Sequence, residues 1–428
     1  MNYYSTRNKN IAVNFAAAAL SGLAPDGGLF VPEEIPKYSA HVKSSLGTMN
    51  FRDIAFETIK PYVQGDIPDA ALDEIAGSAF TFDAPAVPVA DRFAVELFHG
   101  PTAAFKDFGA RFMARAFSWL RRGEDRPLRI LVATSGDTGG AVADGFFDVP
   151  GIFVTVLYPK GRVTPLQEKQ IAGLGKNINA LAVEGNFDDC QRLVKAALAD
   201  DNLKKRMALS SANSINISRL IPQSAYYSAA AGRLYADKND RVTLCVPSGN
   251  FGNLTAGLYA MKMGAPVYQF AAATNINKTI PDYLDSGEYL ARISQATISN
   301  AMDVGAPSNF ERMSSHFSLE EMRRIILGVS VSDEETRETV TRIHQQTGYY
   351  LDPHSAVGWK GADKLLAGKK ISQEAIGILC TAHPAKFSEV VEPLAGPPPV
   401  PESLSRAMER SVNAKTIPAE VNALIETL

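Results

Sequence analysis

From about residue 129, short apolar runs alternate regularly with helical patterns. The apolar runs have the length and the β-branched content of buried strands. The predicted strands are 130–134, 152–158 and 178–183, and the predicted helices are 141–147, 165–174 and 187–198. This alternation is typical of parallel strands covered by helices, because each parallel pair needs a long crossover connection.

The same pattern resumes later in the chain, with predicted strands over 242–246, 267–272 and 375–380 and a predicted helix over 254–263. Two such stretches in 428 residues imply two sheets. We therefore predict an α/β fold with two open parallel-sheet domains, helices on both faces of each sheet, and a helical N-terminal region. The expected division is an N-terminal region over 1–90 that packs on the large domain, a small domain over 107–206, and a large domain over 207–428 with 91–106.

Charge and composition exclude several classes of function. A net charge of −3 provides no basic field to hold nucleic acid or an anionic membrane. The three cysteines include no close pair, and the six histidines lack a metal-ligand spacing, so neither a disulfide framework nor a metal site is expected. The first residues contain no apolar signal core. We therefore expect a cytoplasmic protein that acts on a small molecule, without nucleic-acid or membrane partners.

The segment 99–109 places Lys106 between Phe105 and Phe108 at the start of a predicted helix. Burial against aromatic rings disfavours the ammonium form and lowers the pKa of a lysine, and a neutral amine condenses with an aldehyde to form a Schiff base. Pyridoxal phosphate is the common aldehyde cofactor. The alternative is a lysine that reaches solvent and pairs with Asp107, which is the more frequent situation of a lysine at a helix start.

Two glycine-rich loops, 135–140 and 248–253, each follow a predicted strand and lead into a predicted helix. Ligands of open parallel sheets bind at the carboxyl ends of strands, and glycines let backbone N–H groups converge on an anion at a helix N-terminus. Neither loop contains the Lys-Ser/Thr pair of a nucleotide-binding P-loop. Two anion sites fit a cofactor phosphate in one loop and an anionic substrate group in the other, although either loop alone is equally well explained as a tight turn.

Several segments, in chain order, resemble the threonine synthases, which belong to the pyridoxal-phosphate enzymes of fold type II, the tryptophan synthase β superfamily. The segments are 4–7, 23–32, 99–107, 135–139, 159–169, 213–216, 248–253, 309–312, 351–354 and 381–387. The resemblance spans nearly the whole chain. It implies a carbon–oxygen lyase acting on phosphate, which converts O-phospho-L-homoserine and water to L-threonine and phosphate in the last step of threonine biosynthesis.

The resemblance also implies roles for individual residues. Lys106 would form the Schiff base with pyridoxal phosphate and move protons between the substrate carbons. Thr381 would meet the pyridine nitrogen with a neutral hydroxyl group. The residues expected to hold the cofactor phosphate are Gly249, Asn250, Phe251, Gly252 and Asn253. Ser135, Asp137 and Thr138 would receive the substrate carboxylate or phosphate. Lys160 or Arg162, together with Asn216, would help to hold the substrate phosphate.

Two other functions compete with this one. A phospho-lyase would release phosphate from the same substrate and stop at 2-oxobutyrate. A catalytically silent homologue would bind pyridoxal phosphate without turnover, but the presence of Lys106, Asn250 and Thr381 argues against it. We expect the enzyme to be a monomer or a homodimer.

Overall fold

The structure, a computed structural model, describes residues 1–238, 241–372 and 375–428. The strands are β1 Tyr3–Ser5, β2 Ala12–Val13, β3 Phe30–Pro32, β4 Ala86–Val89, β5 Arg92–Glu96, β6 Leu128–Ala133, β7 Ile152–Pro159, β8 Ile178–Glu184, β9 Ala208–Ser211, β10 Val242–Pro247, β11 Val267–Thr274, β12 Ile326–Ser330, β13 Ile376–Cys380 and β14 Lys415–Pro418.

The helices are α1 Phe15–Ser21, α2 Ala40–Ser45, α3 Phe51–Val63, α4 Asp69–Ala79, α5 Lys106–Leu120, α6 Asp137–Phe146, α7 Pro165–Ala172, α8 Phe187–Ala199, α9 Asp201–Arg206, α10 Ile217–Leu220, α11 Gln223–Lys238, α12 Gly252–Met263, α13 Thr279–Ser286, α14 Phe310–His316, α15 Leu319–Ile325, α16 Asp333–Thr347, α17 Pro353–Ala367, α18 Ser388–Ala395, α19 Glu402–Met408 and α20 Val421–Ile425. Short 3-10 turns occur at Asn300–Met302 and Pro384–Phe387. Within the described ranges, no helix is long and apolar enough to cross a membrane.

A six-stranded sheet has the order β12-β11-β10-β13-β5-β4. All neighbouring strands in it are parallel except the edge pair β4 and β5. Every residue of the central strands β10 and β13 is buried, because helices cover both faces of the sheet. Helix α17 packs on β10 and β11 from one chain segment, and α11 and α12 pack on the same strands from another.

A second sheet is fully parallel and has the order β14-β8-β7-β6-β9. The two parallel sheets confirm the predicted α/β class. The predicted domain division assigned β9 and β14 to the large domain, and this assignment is corrected: β9 pairs with β6 and β14 pairs with β8. Both are short edge strands, and they join this sheet because its outer strands offer them free backbone hydrogen-bonding groups.

The N-terminal region contains a small antiparallel sheet, in the order β2-β1-β3, in addition to helices α1 to α4. Asn14, Ser39 and Asn50 begin three of these helices by accepting a hydrogen bond from a backbone N–H group of the first turn. Helix α3 packs against α11, and α4 packs against α5. The region thereby supports the helix that begins at Lys106.

Candidate active site

Three adjacent strands of the six-stranded sheet, β5, β13 and β10, end at the same edge and lead into the segments singled out by the sequence. The chain segments that follow β5 and β13 stay paired beyond the sheet. The Phe105 N–H donates to the carbonyl of Thr381 at 2.9 Å, and the His383 N–H donates to the carbonyl of Ala103 at 3.0 Å. Lys106 and Thr381 are therefore neighbours because their strands are neighbours, as expected for a ligand site in a parallel sheet.

Lys106 is the first residue of α5, and its side chain is 15% exposed. Burial lowers the pKa of Lys106, and this effect exceeds the opposing attraction of Asp137. The amine nitrogen lies 5.4 Å from the centre of the Phe105 ring. Phe108 does not flank the amine as we expected; it packs against Phe51 at 5.1 Å, because residues two apart on a helix do not face each other.

Asp107 is not the partner of Lys106, which removes the alternative explanation of the lysine. Its carboxylate accepts hydrogen bonds from the Thr102 N–H at 2.9 Å and from the Thr102 hydroxyl at 2.5 Å. Burial raises the pKa of Asp107 to about 6. The carboxylate therefore closes the turn in front of α5 and leaves the Lys106 amine free to face the other sheet.

Asp137, at the start of α6, meets Lys106 from the five-stranded sheet. Its Oδ2 atom lies 3.7 Å from the Lys106 Nζ atom, and its Oδ1 atom lies 2.8 Å from the Lys386 Nζ atom. The same Oδ1 atom accepts a hydrogen bond from Gln167 Nε2 at 3.0 Å. Burial by itself raises the pKa of Asp137, but Lys386 and Lys106 hold it well below its usual range. Asp137 is therefore a buried anion beside two lysines.

Lys386 and Gln167 are contacts of Asp137 to which the sequence analysis gave no role. The Lys386 side chain is 0% exposed and also donates to the carbonyl of Thr102 at 2.8 Å. Both residues lie in segments that carry the family resemblance, 381–387 and 159–169. Their position in those segments was the feature of the sequence that could have indicated a role in the site. Neither segment predicts that its residue contacts Asp137.

The 135–140 loop is closed by hydrogen bonds to Thr134. The Thr134 hydroxyl oxygen accepts hydrogen bonds from the N–H groups of Gly136 at 2.9 Å and Gly139 at 2.8 Å. Gly136 has a φ of +144°, and a Cβ atom there would lie 2.5 Å from the Gln167 side chain, so the turn requires glycine. In the described part of the chain, the hydroxyl groups of Ser135 and Thr138 make no hydrogen bond to protein. They are available to a ligand.

The 248–253 loop is fixed from behind by other segments. Asn250 donates from Nδ2 to the Ser214 hydroxyl at 2.7 Å and accepts the Ser308 N–H at 2.6 Å. A Cβ atom on Gly249 would lie 2.7 Å from the Met302 Cα atom. Phe251, with a φ of +59°, makes the left-handed turn that starts α12. The backbone of the loop is therefore held by contacts with residues 214, 302 and 308.

Asn253 tests whether this loop fits a phosphate group. Its Oδ1 atom accepts the hydroxyl groups of Tyr226 at 2.5 Å and Tyr227 at 2.7 Å. Its Nδ2 atom is buried and has no partner among the described residues. A buried donor without a partner, in the first turn of the 12-residue helix α12, fits an oxyanion such as the phosphate of pyridoxal phosphate.

His354 supports the 248–253 loop indirectly, through residues 301 and 302. Its Nδ1 atom lies 2.6 Å from Asp352 Oδ2, and its Nε2 atom lies 3.2 Å from the Ala301 backbone nitrogen. Because a backbone N–H only donates, Nε2 is the acceptor and Nδ1 carries the proton. The pair thereby holds Ala301 and Met302 against Gly249.

Three predicted substrate-binding residues are either exposed or hydrogen-bonded within the protein. Lys160 and Arg162 are exposed on the loop after β7, and Lys160 Nζ lies 3.6 Å from Glu184 Oε1. Asn216 is completely buried: Nδ2 donates to the carbonyl groups of Ala19 and Ser211, and Oδ1 accepts the Ser218 N–H at 3.0 Å. The expectation that Asn216 holds the substrate phosphate is corrected, because this side chain caps α10 and is fully hydrogen-bonded to protein.

Comparisons with known proteins identify the family of the chain. The family model for pyridoxal-phosphate dependent enzymes matches residues 92–382, across both sheets and the two glycine-rich loops. The fold and the site define a pyridoxal-phosphate enzyme of fold type II, and pyridoxal 5′-phosphate is its cofactor, as predicted. Two further models, threonine synthase N terminus and threonine synthase C-terminal, match residues 2–80 and 355–427.

Individual relatives narrow the family. The chain is 44% identical to a threonine synthase of Haemophilus influenzae, over 95% of this chain and 94% of the relative. The crystal structure of threonine synthase from Escherichia coli superposes with a TM-score of 0.92 at 40% identity, covering 100% of this chain and 99% of that one. A PLP-bound threonine synthase from Brucella melitensis gives a TM-score of 0.92 at 35% identity, covering 100% and 98%. The chain belongs to the threonine synthase family.

Proposed function

We infer that this enzyme converts O-phospho-L-homoserine and water to L-threonine and phosphate, the last step of threonine biosynthesis. One observation carries the proposal. Lys106 follows Phe105, whose N–H donates to the Thr381 carbonyl at the end of the six-stranded sheet, and its amine, with a lowered pKa, faces Asp137 at the end of the other sheet. Full-length similarity to threonine synthases supports the same reaction.

The cofactor would be held by residues from three neighbouring strand ends. The 248–253 loop would receive its phosphate through the Asn253 amide and the N-terminus of α12. Thr381 would place a neutral hydroxyl group at the pyridine nitrogen, and Lys106 would attach the aldehyde. When bound, pyridoxal phosphate withdraws electrons from the substrate carbons, which permits loss of phosphate from the γ-carbon and addition of water at the β-carbon.

Lys106 is the proposed acid and base of the reaction. A lysine amine with an ordinary pKa is almost fully protonated near neutral pH and accepts no proton. Burial of Lys106 increases its neutral fraction, so the amine can take a proton from one substrate carbon and return it to another. The Lys106 amine lies in a mostly buried site, which limits the access of bulk water to the reacting carbons.

The substrate anions would be bound by the other sheet. The hydroxyl groups of Ser135 and Thr138, together with the N-terminus of α6, would receive the carboxylate or the phosphate. Lys160 and Arg162, exposed at the end of β7, would attract the incoming dianion. Asp137 would face Lys106 and would not bind an anion itself.

We also place the enzyme in the cytoplasm, as a monomer or a homodimer, with the N-terminal, small and large regions divided near residues 90 and 206. All three cysteines are free and buried, which suits a reducing compartment. Apart from the placement of β9 and β14, this division remains part of the proposal. The small-molecule substrate is the partner that we expect.

The test is product analysis with purified enzyme and O-phospho-L-homoserine. We expect L-threonine and phosphate in equal amounts. Release of 2-oxobutyrate would identify a phospho-lyase, and binding without release of phosphate would identify a silent homologue. Lys106→Ala should abolish both turnover and the borohydride-reducible visible absorption. Lys195→Ala, on the exposed side of α8, is the matched control and should change neither.

A further inference from the structure

Lys386 is a completely buried lysine next to the reactive one, and the reaction described so far makes no use of it. It lies on the 3-10 turn Pro384–Phe387, just beyond the end of β13. Its ammonium group joins two other segments, because it donates to the Thr102 carbonyl at 2.8 Å and lies 2.8 Å from Asp137 Oδ1. Lysine is almost never fully buried unless it is paired, so this position reflects a specific electrostatic arrangement.

The two lysines share the Asp137 carboxylate unequally. Lys386 is at hydrogen-bonding distance from Oδ1, whereas Lys106 is 3.7 Å from Oδ2, which exceeds the length of a hydrogen bond. Gln167 donates to the same Oδ1 atom as Lys386 and so fixes the orientation of the carboxylate. The counter-ion nearest to the reactive amine is therefore held by another cation.

We propose that Lys386 is a positioning residue for the reaction: its ammonium group holds the Asp137 carboxylate and so keeps this carboxylate from hydrogen-bonding to the Lys106 amine. This inference rests on the proposed function, because that function requires Lys106 to react as a free amine. Without Lys386, Asp137 would be a buried carboxylate whose nearest cation is Lys106, and the two would form a tight ion pair.

The other charges around Lys106 act in the same sense. The charged groups that face it are Asp137 from α6, Lys386 from the 3-10 turn and Arg219 from α10. Burial is the largest influence and lowers the pKa of Lys106; Asp137 opposes it, and Lys386 and Arg219 lower the pKa further. Removal of Lys386 therefore removes one cation that favours the neutral amine and strengthens the attraction of Asp137 for the charged one.

The experiment measures the Lys106 amine directly, in the full-length chain freed of cofactor with hydroxylamine. The rate of acetylation by acetic anhydride is followed from pH 6 to 10 by mass spectrometry of the peptide that contains Lys106. Lys160, which is exposed, serves as the internal reference in every sample. For Lys386→Met we expect acetylation of Lys106 near neutral pH to fall about tenfold relative to the native chain, with the profile displaced to higher pH.

The double variant Lys386→Met/Asp137→Asn should restore acetylation of Lys106 to at least the native rate. It removes the Asp137 carboxylate together with the Lys386 ammonium group that holds it. Native and Lys386→Met profiles that coincide would overturn the proposal and leave Lys386 a structural role only. If circular dichroism shows that Lys386→Met does not fold, Lys386→Gln carries the same expectation, because it can still donate to Thr102 but has no charge. Threonine formation by the native enzyme is assayed separately, so a failure of the proposed function is distinguished from a failure of this inference.

Discussion

The 248–253 loop leaves the Asn253 amide group without a partner among the described residues, whereas the 135–140 loop places the Asp137 carboxylate beside Lys106. Both loops join a parallel strand to a helix through serine and glycine. The residue in the first helical turn makes the difference: Asn253 directs an unpartnered amide group inward, and Asp137 directs a negative charge toward two lysines. A glycine-rich loop at a helix N-terminus therefore indicates a site for charged groups, and its side chains decide whether the site favours an anion or a cation.

The largest effect should come from a side chain placed in the 248–253 loop. Gly249→Ala puts a Cβ atom 2.7 Å from Met302 Cα, so the backbone must shift. We expect cofactor affinity to fall about 100-fold, or ~3 kcal/mol, in equilibrium titration. Gly136→Ala, in the 135–140 loop, places a Cβ atom against the Gln167 side chain of α7. This variant should raise the KM for substrate and leave cofactor affinity within about twofold. Equal losses of cofactor affinity in the two variants would contradict the assignment of the cofactor to the 248–253 loop and of the substrate to the 135–140 loop.

The control for that pair is Gly151→Ala. Gly151 has a φ of +71°, and a Cβ atom there would meet nothing within 4 Å. This variant therefore reports the cost of a left-handed backbone alone, and we expect it to change stability but neither binding constant.

The next effect concerns the unpartnered amide. Asn253→Asp keeps an acceptor for Tyr226 and Tyr227 but replaces the free donor with a negative charge. We expect cofactor affinity to fall roughly 30-fold, or about 2 kcal/mol, measured by titration of the absorption band. Asn253→Ala controls for loss of the tyrosine contacts, and it should bind cofactor more tightly than Asn253→Asp. The reverse order would show that Asn253 does not face an anion.

A smaller effect should come from the free hydroxyl groups of the 135–140 loop. Ser135→Ala and Thr138→Val each remove one donor that is available to the substrate. We expect each to lower kcat/KM about tenfold, since hydrogen bonds to charged groups contribute about 1.5 kcal/mol or more. Thr134→Val is the contrasting change, because the Thr134 hydroxyl group closes the loop. This variant should lower stability as well as activity. Unchanged kcat/KM in both single variants would exclude this loop from substrate binding.

The smallest effect compares the two buried carboxylates by pH. Asp137 has two lysines beside it, whereas the Asp107 carboxylate, among the described residues, accepts hydrogen bonds from Thr102 alone. Burial raises the pKa of Asp107 to about 6. The folded state therefore holds this proton more tightly than the unfolded state, and the stabilisation is lost as pH rises from about 4 to about 6. Asp107→Asn has no carboxyl group at this position and so lacks this dependence on pH. The melting temperature of the variant minus that of the native protein should therefore be about 2 °C higher at pH 6.5 than at pH 4.5. A constant difference would contradict a raised pKa.

Local patterns predicted the parts of the site that depend on neighbouring residues. The helix start at Lys106, the loops after β6 and β10, and the parallel sheets followed from apolar periodicity and glycine placement, because these are properties of short segments. Where spacing along a helix mattered, the prediction for Phe108 was wrong. Two residues along a helix turn a side chain far from the first, so sequence proximity to Lys106 did not produce contact.

The α/β class, the family, the place of Lys106 at a helix start and the two loops could be predicted from the sequence alone, since each is encoded in continuous segments. The contacts of Lys386 and Gln167 with Asp137, the capping role of Asn216 and the membership of β9 and β14 in the five-stranded sheet became visible in the folded chain. These relations join residues that lie up to hundreds of positions apart. Their physical origin is pairing: a buried charge or an edge strand must find a partner, and the fold determines which partner is within reach.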